Sequence, residues 1–192
     1  RFDLSKSYWL IAGIAGIDPE DASIGSAAWS SYLVDGDLGH EIDAREMPSD
    51  WEFGYFARYT KSPFDPNKPE PTGEMFKANP DLRDWAYDLT KDLALPDYES
   101  LKETRNMYVN HPNAQRPPFV LKGGHIAAMT FWHGEILNDW ANKWVSYWSN
   151  GDTDFVTSAM EDTGTFQAMV YLDNIGKVDK DRMMVLRAGS NY

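Results

Sequence analysis

The chain contains no cysteine, which excludes disulfides, thiolate metal sites and cysteine nucleophiles and leaves the redox compartment open. It has no long apolar run. The longest, residues 9–17, falls far short of the roughly 20 residues a helix needs to cross a bilayer. Basic residues are scarce: Lys and Arg total 18 against 30 Asp and Glu, a formal net charge of -12. Gripping a phosphate backbone would work against that field, so a nucleic acid polymer is not an expected partner. No G-x-S-x-G elbow, P-loop or H-E-x-x-H occurs, which closes the common hydrolase and NTPase routes. There is no internal repeat, and the first residues, Arg1-Phe2-Asp3-Leu4-Ser5-Lys6, do not read as a secretory leader, which a mature chain would have lost.

What is present suits one globular domain. The 192 residues are 42% hydrophobic and 14% aromatic, enough to bury a sizeable core. The run Trp-Leu-Ile-Ala-Gly-Ile-Ala-Gly-Ile from Trp9 reads as a strand buried on both faces that closes on a glycine-rich turn. Residues 29–34 and 51–59 read as neighbouring strands. Prolines at 63, 66, 69 and 71 make a surface loop. Asn79-Pro80 caps an amphipathic helix carrying Leu82, Trp85, Ala86, Leu89 and Leu93, and a weaker helix covers residues 99–108. Residues 119–129 read as a strand interrupted by Gly123-Gly124. Leu137, Trp140, Ala141, Trp144, Val145 and Trp148 form one helical stripe ending at Asn150-Gly151, read as core or subunit interface. A strand at 155–159, a helix at 162–175 and a strand at 182–188 complete the chain. Such strand and helix alternation predicts an α/β fold with a mainly parallel central sheet and ligand sites at the carboxyl ends of its strands.

Four places could carry chemistry. Ala12-Gly13-Ile14-Ala15-Gly16 could expose backbone N–H groups to a ligand, or simply pack. In Thr130-Phe131-Trp132-His133-Gly134 an aromatic face could stack on a flat ring, or fill core. Met160-Glu161-Asp162 puts two carboxylates at a helix start, where the macrodipole favours acids whatever the function. Arg187-Ala188-Gly189-Ser190-Asn191 clusters polar side chains just past a buried strand, as a plain turn also would. His40, Glu41 and Asp43, with Asp35 and Asp37, fit no familiar metal loop and read as a solvated acidic segment, so no metal is assigned.

Together these motifs occur in the order and rough spacing of the nucleoside phosphorylase and nucleosidase superfamily. Within it, Ser23-Ile24-Gly25-Ser26-Ala27-Ala28-Trp29, the segment from Asp35 to Glu46, and Ala159-Met160-Glu161-Asp162-Thr163-Gly164 resemble the purine nucleoside permease family. The resemblance runs along most of the chain and implies a three-layer α/β/α sandwich around a mixed, mainly parallel sheet. It also implies a single domain, incomplete at both ends, since family members are longer. By that resemblance Ala15 and Gly16 lie against a purine nucleoside, Phe131 with Trp132 stacks on the base, and Met160 with Glu161 holds the ribose. A carboxylate suits two adjacent hydroxyls, and a site built on such bonds discriminates against sugars lacking them. Arg187 and Ser190 would shape the Asn191 loop.

Two departures qualify the carry-over. The superfamily's closing Asp is here Asn191, which can donate a hydrogen bond to purine N7 but cannot hand over a proton, favouring 6-oxopurines. Ile11 and Ile14 stand where phosphorylases carry an Arg and a hydroxyl for phosphate. The expectation is therefore N-glycosidic cleavage, with Asn191 and Glu161 catalytic, water or phosphate as nucleophile and no cofactor. The activity would serve purine uptake and salvage. The alternatives are a non-catalytic nucleoside-binding protein that serves a membrane transporter, and a scaffold that has lost its site. The family further implies a homo-oligomer, with the tryptophan helix as interface, and an extracellular or cell-surface location, cytoplasmic being the alternative.

Overall fold

The computed structural model describes residues 2–192. Ten strands and four helices follow in the order β1 (Trp9–Ile17), β2 (Ala27–Ser30), β3 (Tyr32–Asp35), β4 (Gly39–Glu41), β5 (Tyr55–Ala57), β6 (Met75–Lys77), α1 (Pro80–Thr90), α2 (Glu99–Arg105), β7 (Val120–Lys122), β8 (Gly124–Ala127), α3 (Glu135–Ser149), β9 (Phe155–Ala159), α4 (Asp162–Asn174) and β10 (Met183–Asn191). Eight strands make one sheet in the order β6-β3-β8-β9-β1-β10-β2-β7, and β4 and β5 form a separate ribbon. Four of the seven ladders are parallel and three antiparallel.

The sheet consists of two halves joined end to end. β9 and β1 are antiparallel and meet at only two pairs, Gly16 with Ser158 and Ile17 with Thr157, so the carboxyl ends of β1, β10, β8 and β9 converge on the joint. Twice the chain crosses between halves without a turn. Residues 29–34, expected as one strand, are split at Ser31 into β2, beside β10, and β3, beside β8. Residues 119–129 are likewise split at Gly123 into β7, beside β2, and β8. A side chain at Gly123 would overlap Val156, so glycine is required at that crossing.

Helices cover both faces, as expected of a three-layer sandwich. Adjacent residues on a strand point oppositely, and Leu33 packs with Phe166 and Met169 of α4 while Val34 packs with Trp144 of α3. On β10, Met183 and Val185 belong to the α4 side, whereas Met184 and Leu186 meet Ala86 of α1. So α4 lies on one face, and α1 and α3 share the other. Between α1 and α3 the face of β1 is bare, with Leu10 and Ile14 exposed. The expectation of a first strand buried on both faces is thus corrected: Trp9 and Ile11 pack on the α4 side only.

α1 begins at Asn79, whose side chain accepts from the Asp81 and Leu82 amides, with Pro80 in the first turn. α3 ends at Asn150 in the left-handed conformation, followed by Gly151. Trp140, Trp144 and Trp148 are buried against Val34, Ile126 and Phe155. Of the two expected roles they take that of core, with their rings already covered. Of residues 51–59 only Tyr55–Ala57 is strand, and it lies in the small ribbon, not beside β3. Among the described residues no helix is long and apolar enough to cross a membrane.

Candidate functional site at the joint of the half-sheets

Two register shifts decide what faces what. On β10, Ala15 pairs with Gly189 but Gly16 pairs with Asn191, leaving Ser190 as the extra residue of a β-bulge. Arg187 and Gly189 belong to the α4 side by alternation, and the bulge turns Asn191 to the α3 side. On β9, Gly124 pairs with Phe155 and His125 with Thr157, so Val156 is extra and Thr157 turns to the α4 side. The glycine stretch and the segment 187–191 are therefore strand, correcting the expected turn and loop.

On the α3 side lies a cavity of about 490 Å³, within the usual range for small-molecule sites. Gly16, Ser158, Met160, Phe131, Trp132 and Asn191 line it. Trp132 is anchored against Trp140 and Phe155 at centroid distances of 6.3 and 5.9 Å, while Phe131 is 80% exposed and free to stack on a ligand. Asn191 Nδ2 donates to Tyr192 O at 3.2 Å, and its Oδ1 accepts from Ser190 Oγ at 2.9 Å. Asp18 fixes α3 over the end of β1 by accepting from Asn138 and Asn142 at 3.0 and 2.6 Å.

Ala15, Glu161, Arg187 and Ser190 do not line this cavity. Ser190 Oγ donates to Ala15 O at 3.2 Å and so holds the bulge. Arg187 lies on the α4 side, fully buried, and does not shape the Asn191 loop as expected. Its Nε and Nη2 donate to the two Asp162 oxygens at 3.0 and 2.7 Å, Nη2 also donates to Glu161 Oε1 at 2.7 Å, and Nη1 donates to Ile14 O at 3.3 Å. Gly13 must lack a side chain because a Cβ would overlap the Arg187 guanidinium. The Arg187 bond holds the Glu161 carboxyl below its ordinary value, so it is ionised. Burial pushes Asp162 up, but bonds from His125 and Arg187 outweigh this and leave it lowered.

Sequence reasoning missed several residues here. His125, Thr157 and the separate role of Asp162 follow from tertiary pairing, and only the adjacent acids at 161–162 hinted at them. Tyr108, His111 and Glu20 also line the cavity, with His111 Nδ1 at 2.8 Å from Glu20 Oε1 and Tyr108 packed on Tyr192 at 4.0 Å. They come from loops distant in sequence and carry no local signal. In the segment 35–43, Asp35 accepts from the Asp37 and Leu38 amides and from Thr163, and among the described residues no three His, Asp or Glu are placed to hold a metal ion.

A family profile described as purine nucleoside permease (NUP) matches residues 1–192. A probable purine nucleoside permease of Schizosaccharomyces pombe is 30% identical over 200 residues, covering all of this chain and 57% of the relative. The purine nucleoside permease of Candida albicans is 31% identical over 199 residues, covering all of this chain and 48% of the relative. The chain thus spans about half the length of the curated relatives it matches. Among solved structures it is similar to a Campylobacter jejuni 5′-methylthioadenosine/S-adenosyl homocysteine nucleosidase, at 17% identity and a TM-score of 0.46 over 95% of this chain and 55% of that one. It is also similar to a Helicobacter pylori futalosine hydrolase, at 16% identity and a TM-score of 0.46 over 95% and 56%. The full-length match to the profile places this chain in the purine nucleoside permease family.

Proposed function

We propose that this chain binds a purine nucleoside at the joint of its half-sheets and cleaves the N-glycosidic bond. The observation that carries the reading is the cavity itself, where an exposed aromatic, Phe131, and a terminal amide, Asn191, share one space with Met160, the chain neighbour of the ionised, half-exposed Glu161. Phe131 and Trp132 stack on the base, Met160 packs against the sugar, and Glu161 accepts from the two ribose hydroxyls. As the C1′–N9 bond breaks, its electron pair moves onto the base and the sugar becomes oxocarbenium-like. Asn191 Nδ2 donates to N7, stabilising the charge without transferring a proton. Water adds at C1′ and loses its proton to solvent, and the departing base takes one from solvent.

Water is favoured over phosphate as nucleophile by two features. Ile11 packs in the core and Ile14 lies on the bare face of β1, so neither offers a donor to an oxyanion. Arg187 has its guanidinium committed to two carboxylates and a backbone carbonyl. The second reading is binding without turnover in the service of a membrane transporter, outside the cytoplasm, and the amide at Asn191 favours it because it is no acid. Incubating the purified protein with inosine, guanosine and adenosine, with and without phosphate, and following free base by chromatography separates these. Base release without phosphate is the expected result. No release under either condition, with tight binding by calorimetry, would move the function to the second reading.

A further inference from the structure

Behind Glu161 stands a set of polar groups that no ligand in the cavity would touch. Glu161 is 60% exposed at its side chain, and among the described residues its one side-chain partner is Arg187, from which Oε1 accepts. An exposed glutamate samples several rotamers, so a ribose site needs this one held. Its holder, Arg187, is set by the two-point fork on Asp162, which fixes the plane of the guanidinium. Asp162 is in turn set by His125, whose Nε2 lies 2.8 Å from Asp162 Oδ2 and whose Nδ1 lies 2.9 Å from Thr157 Oγ1. His125, Asp162 and Thr157 are all fully buried.

Nε2–H of His125 donates to Asp162, whose carboxylate has no proton to give, and Nδ1 meets the Thr157 hydroxyl. Asp162 and Glu161 flank the Arg187 guanidinium, the first fully buried and the second exposed. We infer that His125 and Asp162 are positioning residues that fix Glu161 through Arg187 and thereby set the preference of the site for ribose over 2′-deoxyribose. This rests on the reading of Glu161 as the ribose-holding group.

The test is calorimetric binding of inosine and 2′-deoxyinosine, with a thermal melt of each protein. The wild type is expected to prefer inosine, and Glu161→Gln to lose most of that preference. His125→Leu is expected to narrow the preference about tenfold, as for a lost bond to a charged group. His125→Gln, which keeps a donor in reach of Asp162, is expected to restore most of it. Thr157→Val, nearly isosteric, should narrow it about threefold and serves if His125→Leu does not fold. A wild type with no preference would overturn the ribose reading and this inference with it. A preference lost in Glu161→Gln but unchanged in His125→Leu, or in Thr157→Val, would overturn the inference alone. A lowered melting temperature with unchanged preference would make the pair merely structural.

Discussion

At the joint, the face under α4 holds Arg187, Asp162, His125 and Thr157 almost wholly out of solvent, while the face under α3 holds an open cavity walled by aromatics and ending on the exposed Asn191. The same strands, β9 and β10, supply both. The buried face tolerates little, because each charge there was desolvated on folding and is compensated only by its partners. The cavity face can change side chains at small cost to folding. The residues that hold the buried charges together are therefore different from those that line the cavity, a few positions apart.

The largest expected break in that contrast is Arg187→Met. It leaves the buried Asp162 with its His125 bond alone and should cost about 3–5 kcal/mol by urea unfolding. Gly13→Ala comes next, since its new methyl would push a guanidinium locked by acids on two sides, costing about 1–3 kcal/mol in the same assay. On the cavity face Phe131→Ala should leave stability within ~0.5 kcal/mol and weaken inosine binding by about 1 kcal/mol, roughly fivefold, by calorimetry. A Phe131 variant that unfolds, or an Arg187 variant that does not, would erase the distinction.

A separate effect is a pH dependence at Asp21, in the turn after β1. Burial, with the charges of Asp18, Asp154 and Glu20, raises Asp21 from the ordinary 3.8 to about 7. The folded state therefore keeps a proton that the unfolded chain has released between about pH 4 and 7. Stability falls as pH rises through that window and levels off above it. Asp21→Asn removes this loss, so the variant should melt higher than wild type at pH 8 and equal to it below pH 4.

Local signals accounted for the helix ends better than for their faces: Trp85 and Leu89 of the expected α1 stripe are exposed, and Leu93 lies beyond the helix. Asn79-Pro80, the tryptophan stripe and Asn150-Gly151 name a start, a buried face and a stop, and each depends on contacts within a few residues. The strands were less legible. Residues 29–34 are continuous in pattern yet serve two half-sheets, because what divides them is which neighbours compete for their hydrogen bonds. Of the site, the cavity-lining Gly16, Phe131, Met160 and Asn191 stand in motifs readable by resemblance. His111, Glu20 and His125 do not, since their partners lie 91 and 37 residues away.

The sequence by itself determined the apolar periodicity, the caps, the acid pair at 161–162 and family membership, all of which are local or linear properties. Only the tertiary structure decided sidedness. Alternation alone puts Arg187 and Asn191 on one face of β10, and the extra residue Ser190, paired with nothing on β1, sends Asn191 into the cavity while Arg187 stays with the buried acids. A bulge is set by the competition of two strands for register, and that competition exists only once the strands have met.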